Sequence, residues 1–156
     1  MALNRYTCET FDNIGGDGFP FQRIEGAQIM KGCIGPRAAC LFIDVVAFVG
    51  GGRNEALGVY LGAIGQAVKA STREVDLVLA EFGEEALTGL VLESVVDGGH
   101  QFLYMHLPDR TLVYDAAASK ELGSPVWFEL NSGNVIRQKY RARNFVYCYD
   151  KWLVLS

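Results

Sequence analysis

Histidine occurs only twice in this chain of 156 residues, at His100 and His106, and proline only 4 times against 18 glycines. A catalytic triad needs a nucleophile, a base and an orienting acid, and two imidazoles leave little from which to build one. No serine or cysteine stands in a G-x-S-x-G elbow. The four cysteines, Cys8, Cys33, Cys40 and Cys148, show neither C-x-x-C spacing nor a neighbouring histidine, which argues against a zinc site. They read as free thiols of a reducing compartment, in a chain long enough to bury a core without a disulfide.

Long apolar runs are also missing. The longest, around residues 38 to 50, is broken by Asp44, and the opening MALNRYTCETFDN has no apolar stretch of the secretory kind. No membrane partner is expected, and the expected location is cytoplasmic. No block of like charge, linker or low-complexity segment divides the chain, which reads as a single domain over residues 1–156. The net charge of −4 and a pI near 5.2 exclude a surface that coats nucleic acid as a whole. No sequence-specific nucleic-acid partner is expected, although a local basic patch is compatible with this balance.

What is present is a hydrophobic half, 50% of residues, with aromatic and β-branched side chains in short runs between Gly, Asn, Asp and Pro. That is the pattern of strands and tight turns. Strands are predicted near 27 to 33, 39 to 49, 57 to 62, 66 to 70, 90 to 96, 100 to 107, 111 to 116, 125 to 130, 140 to 149 and 151 to 155. Two hairpins stand out. VVAFVGGGRNEALGVYLG places Gly50, Gly51 and Gly52 where a turn would use positive φ. In QFLYMHLPDRTLVYD the two-residue strand period puts Phe102, Tyr104 and His106 on one face and Leu103, Met105 and Leu107 on the other. Both faces are apolar, so this hairpin is expected to be covered on both sides.

One amphipathic helix is predicted after STREVDLVLAEFG, with Ser71 as cap, Glu74 as its capping-box partner and Gly83 as terminator. Val75, Val78, Leu79 and Phe82 would form its buried face. EEALTGL, 84 to 90, could add a further turn. Strands grouped by four over about 40–45 residues match the blade period of a β-propeller.

Few motifs carry chemistry. DNIGGDG, 12 to 18, lacks the ligand order of a calcium loop and reads as a turn rich in side-chain to backbone bonds. His106 and Asp115 could face each other across the hairpin, without a nucleophile or metal partner. In IRQKYRAR, Arg137, Lys139, Arg141 and Arg143 alternate and would line one side of an extended strand, able to meet phosphates, an acidic partner or simply solvent. Tyr60, Tyr104, Tyr114 and Trp127 are the candidates for stacking against a small molecule or glycan, the alternative function. No cofactor is expected.

Several stretches together resemble a known family. FPFQRIEGAQIMKGCIGPRA (19 to 38), QAVKASTREVD (66 to 76), LYMHLPDRTLVYDAAAS (103 to 119) and PVWFEL (125 to 130) are similar, in order and spacing, to the packaged-DNA stabilisation proteins of short-tailed bacteriophages. The resemblance implies a mainly β, propeller-like fragment of about three antiparallel four-stranded blades with one short helix. It implies a non-catalytic tail-hub and head-completion role exercised through protein contacts, in a virion or as a phage-derived gene on a mobile element. Members of that family are several times longer. About three blades cannot close a ring, so a homo-oligomer is expected to cover the open ends, with phage portal or tail proteins as further partners.

Overall fold

A computed structural model describes residues 1–134 and 138–156. Four short strands, β1 (Ala2–Leu3), β2 (Cys8–Glu9), β3 (Phe11–Asn13) and β4 (Phe21–Arg23), form two small antiparallel hairpins. The first large sheet comes next. In it β5 (Gly32–Cys33) and β6 (Ala39–Phe42) share one edge of β7 (Val45–Gly51), followed outward by β8 (Gly58–Ala63) and β9 (Gln66–Lys69). Helix α1 (Arg73–Leu87) leads to a second sheet of β10 (Val91–Asp97), β11 (His100–His106), β12 (Thr111–Asp115) and β13 (Val126–Leu130), paired in chain order. Helix α2 (Ala116–Leu122) is inserted between β12 and β13, and the hairpin β14 (Arg143–Cys148) and β15 (Lys151–Leu155) ends the chain.

The first strands of these sheets lie side by side. The Leu92 amide of β10 donates to the Arg37 carbonyl, just ahead of β6, at 3.0 Å, and the start of β14 is bonded to Glu93 of β10. Antiparallel meanders with adjacent first strands and outward-growing later strands are propeller blades. The protein is therefore mainly β and partly propeller-like: a five-stranded blade, a four-stranded blade and a hairpin of a third.

The core lies between the blades and under α1. Leu103 and Met105 of β11 are fully buried there with Phe42, Val49, Val59 and Leu79, so the apolar face predicted for 103, 105 and 107 does face inward. Truncating such a side chain to alanine costs about 3–5 kcal/mol. The predicted helix face is also buried: Val75 and Leu79 fully, with Val78 and Phe82 packed against the core. A second cluster, Cys8, Ile29, Phe48 and Tyr60, fills the opposite face of the first blade beneath the N-terminal hairpins. Burial pushes the Cys8 thiol up to about 11 and Cys40 up to about 12, and all four cysteines are free.

Several local expectations are corrected. The run 39 to 49 is not one strand: it folds back at Ile43–Asp44, where Ile43 takes a φ of 56° and Phe42 pairs with Val45. Of 27 to 33 only β5 is strand, with an isolated bridge from Ile29 to Cys8. The run 140 to 149 becomes extended only at Arg143. Helix α1 is capped by Thr72, whose Oγ1 accepts from Val75 N–H, while Ser71 Oγ accepts from Val59 N–H and donates to Asp76. Gly83 interrupts the helix with a φ of 72°, and a further turn resumes through Leu87. None of Gly50, Gly51 and Gly52 has positive φ; the left-handed residue of that loop is Asn54. Gly50 is required for closeness instead, because a Cβ there would meet the Gly32 carbonyl oxygen at 1.7 Å. Helix α2 and the hairpins β1 to β4 were not expected.

Candidate assembly surface

Strand β11 carries a ladder of rings on the face turned away from the core. His100 stacks on Phe102 at 5.5 Å between centroids, Phe102 meets Tyr104 edge-on at 6.4 Å, and Tyr104 stacks on His106 at 6.1 Å. The alternation read in the sequence places these four side chains in one row. The third-blade hairpin and the segment before it pack on this row at Tyr104, which lies 5.0 Å from Phe145 and 6.3 Å from Tyr140.

One carboxylate ties this junction together. Glu93 Oε2 accepts from the Asn144 amide at 3.1 Å and from His106 Nε2 at 2.9 Å, and Glu93 Oε1 accepts from the Phe145 amide at 3.1 Å. Asn144 has a φ of 55°, which turns two successive amides towards the same anion, as in a backbone nest. Arg37 Nη2 donates to the Asn144 side-chain oxygen at 2.9 Å, so residues from the inner edges of all three blades meet here. Burial opposes the charge on Glu93, but the bonds from His106 and the two amides outweigh it and hold the carboxyl below its usual range.

His106 is committed to this structure. Its side chain is fully buried, and with Nε2–H donated to Glu93 its Nδ1 accepts from the Thr111 hydroxyl at 3.1 Å. Neither ring nitrogen is left to exchange a proton with a substrate. The possible pairing of His106 with Asp115 is corrected. In the register of β11 and β12, His106 stands opposite Thr111 and Asp115 opposite Phe102, at the other end of the pair. Asp115 instead accepts from Ala118 N–H as the cap of α2 and pairs with His100 Nδ1 at 2.7 Å.

The outward side of the third-blade hairpin is bare. Val146 and its partner Leu153 are 57% and 52% exposed, Leu155 is 67% exposed and Tyr149, at the turn, 93%. Among the described residues β15 pairs with β14 alone. Its edge holds a single charged residue, Lys151, where solvent-facing edges are usually guarded by charge or proline.

The other predicted site residues are dispersed. Tyr60 is buried and stacked on Phe48 at 5.7 Å in the outer cluster. Tyr114 lies in the inter-blade core, 5.4 Å from Trp127, whose indole N–H donates to the Ala70 carbonyl at 2.8 Å. Tyr104 is in the ring ladder on the opposite face of its sheet. Two adjoining crevices of about 380 and 370 Å³, which share Pro125, have Trp127 and Tyr114 in their walls but neither Tyr60 nor Tyr104. Lys139, Arg141 and Arg143 are brought together around a cavity of about 410 Å³. Arg137 lies outside the described residues. The segment 12 to 18 is the tip of the β3–β4 hairpin, where Asn13 Oδ1 accepts from Gly15 N–H at 3.1 Å. Among the described residues no group of three or more His, Cys, Asp or Glu is placed to hold a metal, and no helix is long and apolar enough to cross a membrane.

Sequence reasoning singled out His106 but missed Glu93 and Asn144, the residues that dock the third blade. Nothing local marks either one.

Comparison with known proteins agrees with this architecture. A family model described as bacteriophage P22 Gp10, beta-propeller, matches residues 1–156. The tail hub protein gp10 of Salmonella phage P22 is 30% identical over 130 residues, which cover 80% of this chain and 27% of that protein. The chain thus spans about a quarter of the length of the relative it matches.

Proposed function

The chain belongs to the family of P22 Gp10 β-propeller proteins of bacteriophages, and from that premise we propose that it is a non-catalytic structural part of a tail hub. It works through protein contacts in the virion. Its partners are further copies of itself and, around them, phage portal or tail proteins. The observation that carries this reading is the match of the family model to residues 1–156, and the exposed apolar side of the third-blade hairpin supports contact with other protein. β14 is docked on β10, and its hairpin with β15 carries the exposed apolar side chains Val146, Leu153 and Leu155. Exposed apolar patches of this kind mark contacts with other protein chains. A stable contact between copies should bury more than about 1,000 Å² in all, so it must include side chains beyond these.

Sedimentation velocity at tens of micromolar tests the reading. The wild-type chain should sediment as an oligomer. Leu153→Asp with Leu155→Asp should give a folded monomer, since both side chains lie on the exposed hairpin and outside the two core clusters. A wild-type chain that is strictly monomeric at that concentration contradicts self-association.

A further inference from the structure

The segment Lys139-Tyr140-Arg141-Ala142-Arg143 places three cations at every second residue. All three line one cavity of about 410 Å³, together with Gln138, Tyr140 and Ser156. Lys139 and Arg143 also line a neighbouring cavity of about 220 Å³ beside His106 and Pro108, so the basic wall continues from one hollow into the next. Five cations elsewhere among the described residues have carboxylate partners, and four of these are Arg5 with Glu84, Lys31 with Glu55, Lys69 with Asp76, and Arg110 with Asp109 and Glu81. Arg23 likewise has Glu9 and Glu25. Among the described residues no Asp or Glu side chain is paired with Lys139, Arg141 or Arg143, and Ser156 shares their cavity wall. In a chain whose 18 acidic residues outnumber its 14 lysines and arginines, three cations without an Asp or Glu partner around one hollow form a local positive potential that attracts anions.

The segment is also held in place before any ligand arrives. Lys139 forms a bridge with Asn131, the Arg141 amide donates to Ser132 Oγ at 2.9 Å, and the Tyr140 ring is stacked on Tyr104. Arg143 opens β14, whose next two amides are fixed by Glu93. Such anchoring removes part of the ordering cost of binding.

We propose that Lys139, Arg141 and Arg143 form a site for the phosphodiester backbone of a nucleic acid. The lining favours phosphate over an acidic protein partner. None of its six residues is aliphatic, so it lacks the apolar pocket that anchors a protein side chain. Two of the three cations are arginines, whose planar fork matches phosphate oxygens. Cations at every second residue stand roughly 6–7 Å apart where the backbone is extended, a spacing close to that of successive phosphates. The contact is to backbone only and reads no base, so it is blind to sequence.

Fluorescence anisotropy of the full chain with a short labelled single-stranded oligonucleotide, and separately with its duplex, over a series of salt concentrations tests the site. Binding to either is expected, with log K falling against log salt at a slope of about −2 for a single strand or about −3 for a duplex. The strand form that binds more tightly identifies the natural one. Lys139→Gln with Arg141→Gln should weaken binding by about tenfold per cation at low salt and flatten the slope by about 0.7–0.9 per cation. Lys139→Arg with Arg141→Lys should retain most of it, and Lys120→Gln, a surface cation elsewhere, should change nothing. Sedimentation of the same variants should be unaltered, which separates this site from the assembly contact. No binding of either oligonucleotide at low salt overturns the proposal. So does binding indifferent to Lys139→Gln with Arg141→Gln, or equally tight binding of poly-glutamate, which would mark an acidic-protein surface instead.

Discussion

Glu93 is the side chain on which the third blade turns. Its carboxylate accepts three hydrogen bonds, two from successive amides of β14 and one from a buried imidazole. A hydrogen bond to a charged group contributes about 1.5–3 kcal/mol, and removing the acceptor leaves buried donors unpaired. Glu93→Ala should therefore destabilise the protein by about 3 kcal/mol or more in chemical denaturation, and Glu93→Gln by less. Acid should act in the same direction. Because the native carboxyl titrates below its ordinary range, its contribution is complete at pH values above that range and is lost as pH falls through the lowered native value. The groups facing Glu93 are His106, the Asn144 and Phe145 amides, and Cys40, whose thiol stays protonated throughout that window. A denaturation midpoint that falls on acidification below about pH 4.3 in the wild type, and falls less steeply in Glu93→Gln, is the expected result. Parallel pH profiles for the two would show that other carboxylates govern acid stability.

At the scale of elements, the loop between β12 and β13 holds a compact helix that is fixed by side-chain bonds and by Ala116 packed against the core. Asp115 caps α2 through Ala118 N–H, and Ser119 Oγ donates to the Asp115 carbonyl at 2.5 Å while accepting from Val126 N–H at 2.8 Å. Asp115→Ala should cost about 1–2 kcal/mol, and Asp115→Asn only a few tenths because the amide oxygen still caps. Urea denaturation of both variants checks this; equal losses would place the weight on the His100 pair instead. The signals for α2 stood in the sequence as an aspartate, three alanines and Gly123, which takes a φ of 68° at its C-terminus. With seven residues the helix has no room for an apolar stripe, so periodicity passed over it. Periodicity succeeded where burial enforces it, in β11, β12 and the Val75/Leu79 face of α1. It failed at Ile43, where a β-branched residue adopts left-handed φ without an Asn-Gly signal. It could not reveal Glu93 with Asn144, because 51 positions separate them and only the stacking of blades joins them.

At the largest scale the described residues form an arc: two blades and a hairpin of a third, sharing neighbouring first strands. The glycine loop and the hairpin turn at Pro108 serve this packing. Gly50 lets β5 approach β7, and Arg110, after the turn, clasps Asp109 with two bonds of 2.9 Å while lying over the Phe82 ring of α1 at 5.9 Å. The N-terminal hairpins close over Phe48 and Tyr60, and the β14–β15 hairpin exposes the apolar side chains Val146, Leu153 and Leu155. Amide hydrogen exchange of residues 143 to 155, read at dilute and at assembling concentrations, tests this most directly. The Asn144 and Phe145 amides should be protected at both concentrations, and the outer-edge amides of β15 should exchange fast when dilute and slowly when concentrated. Fast exchange at Asn144 and Phe145, or β15 amides indifferent to concentration, would contradict a docked half-blade completed by assembly.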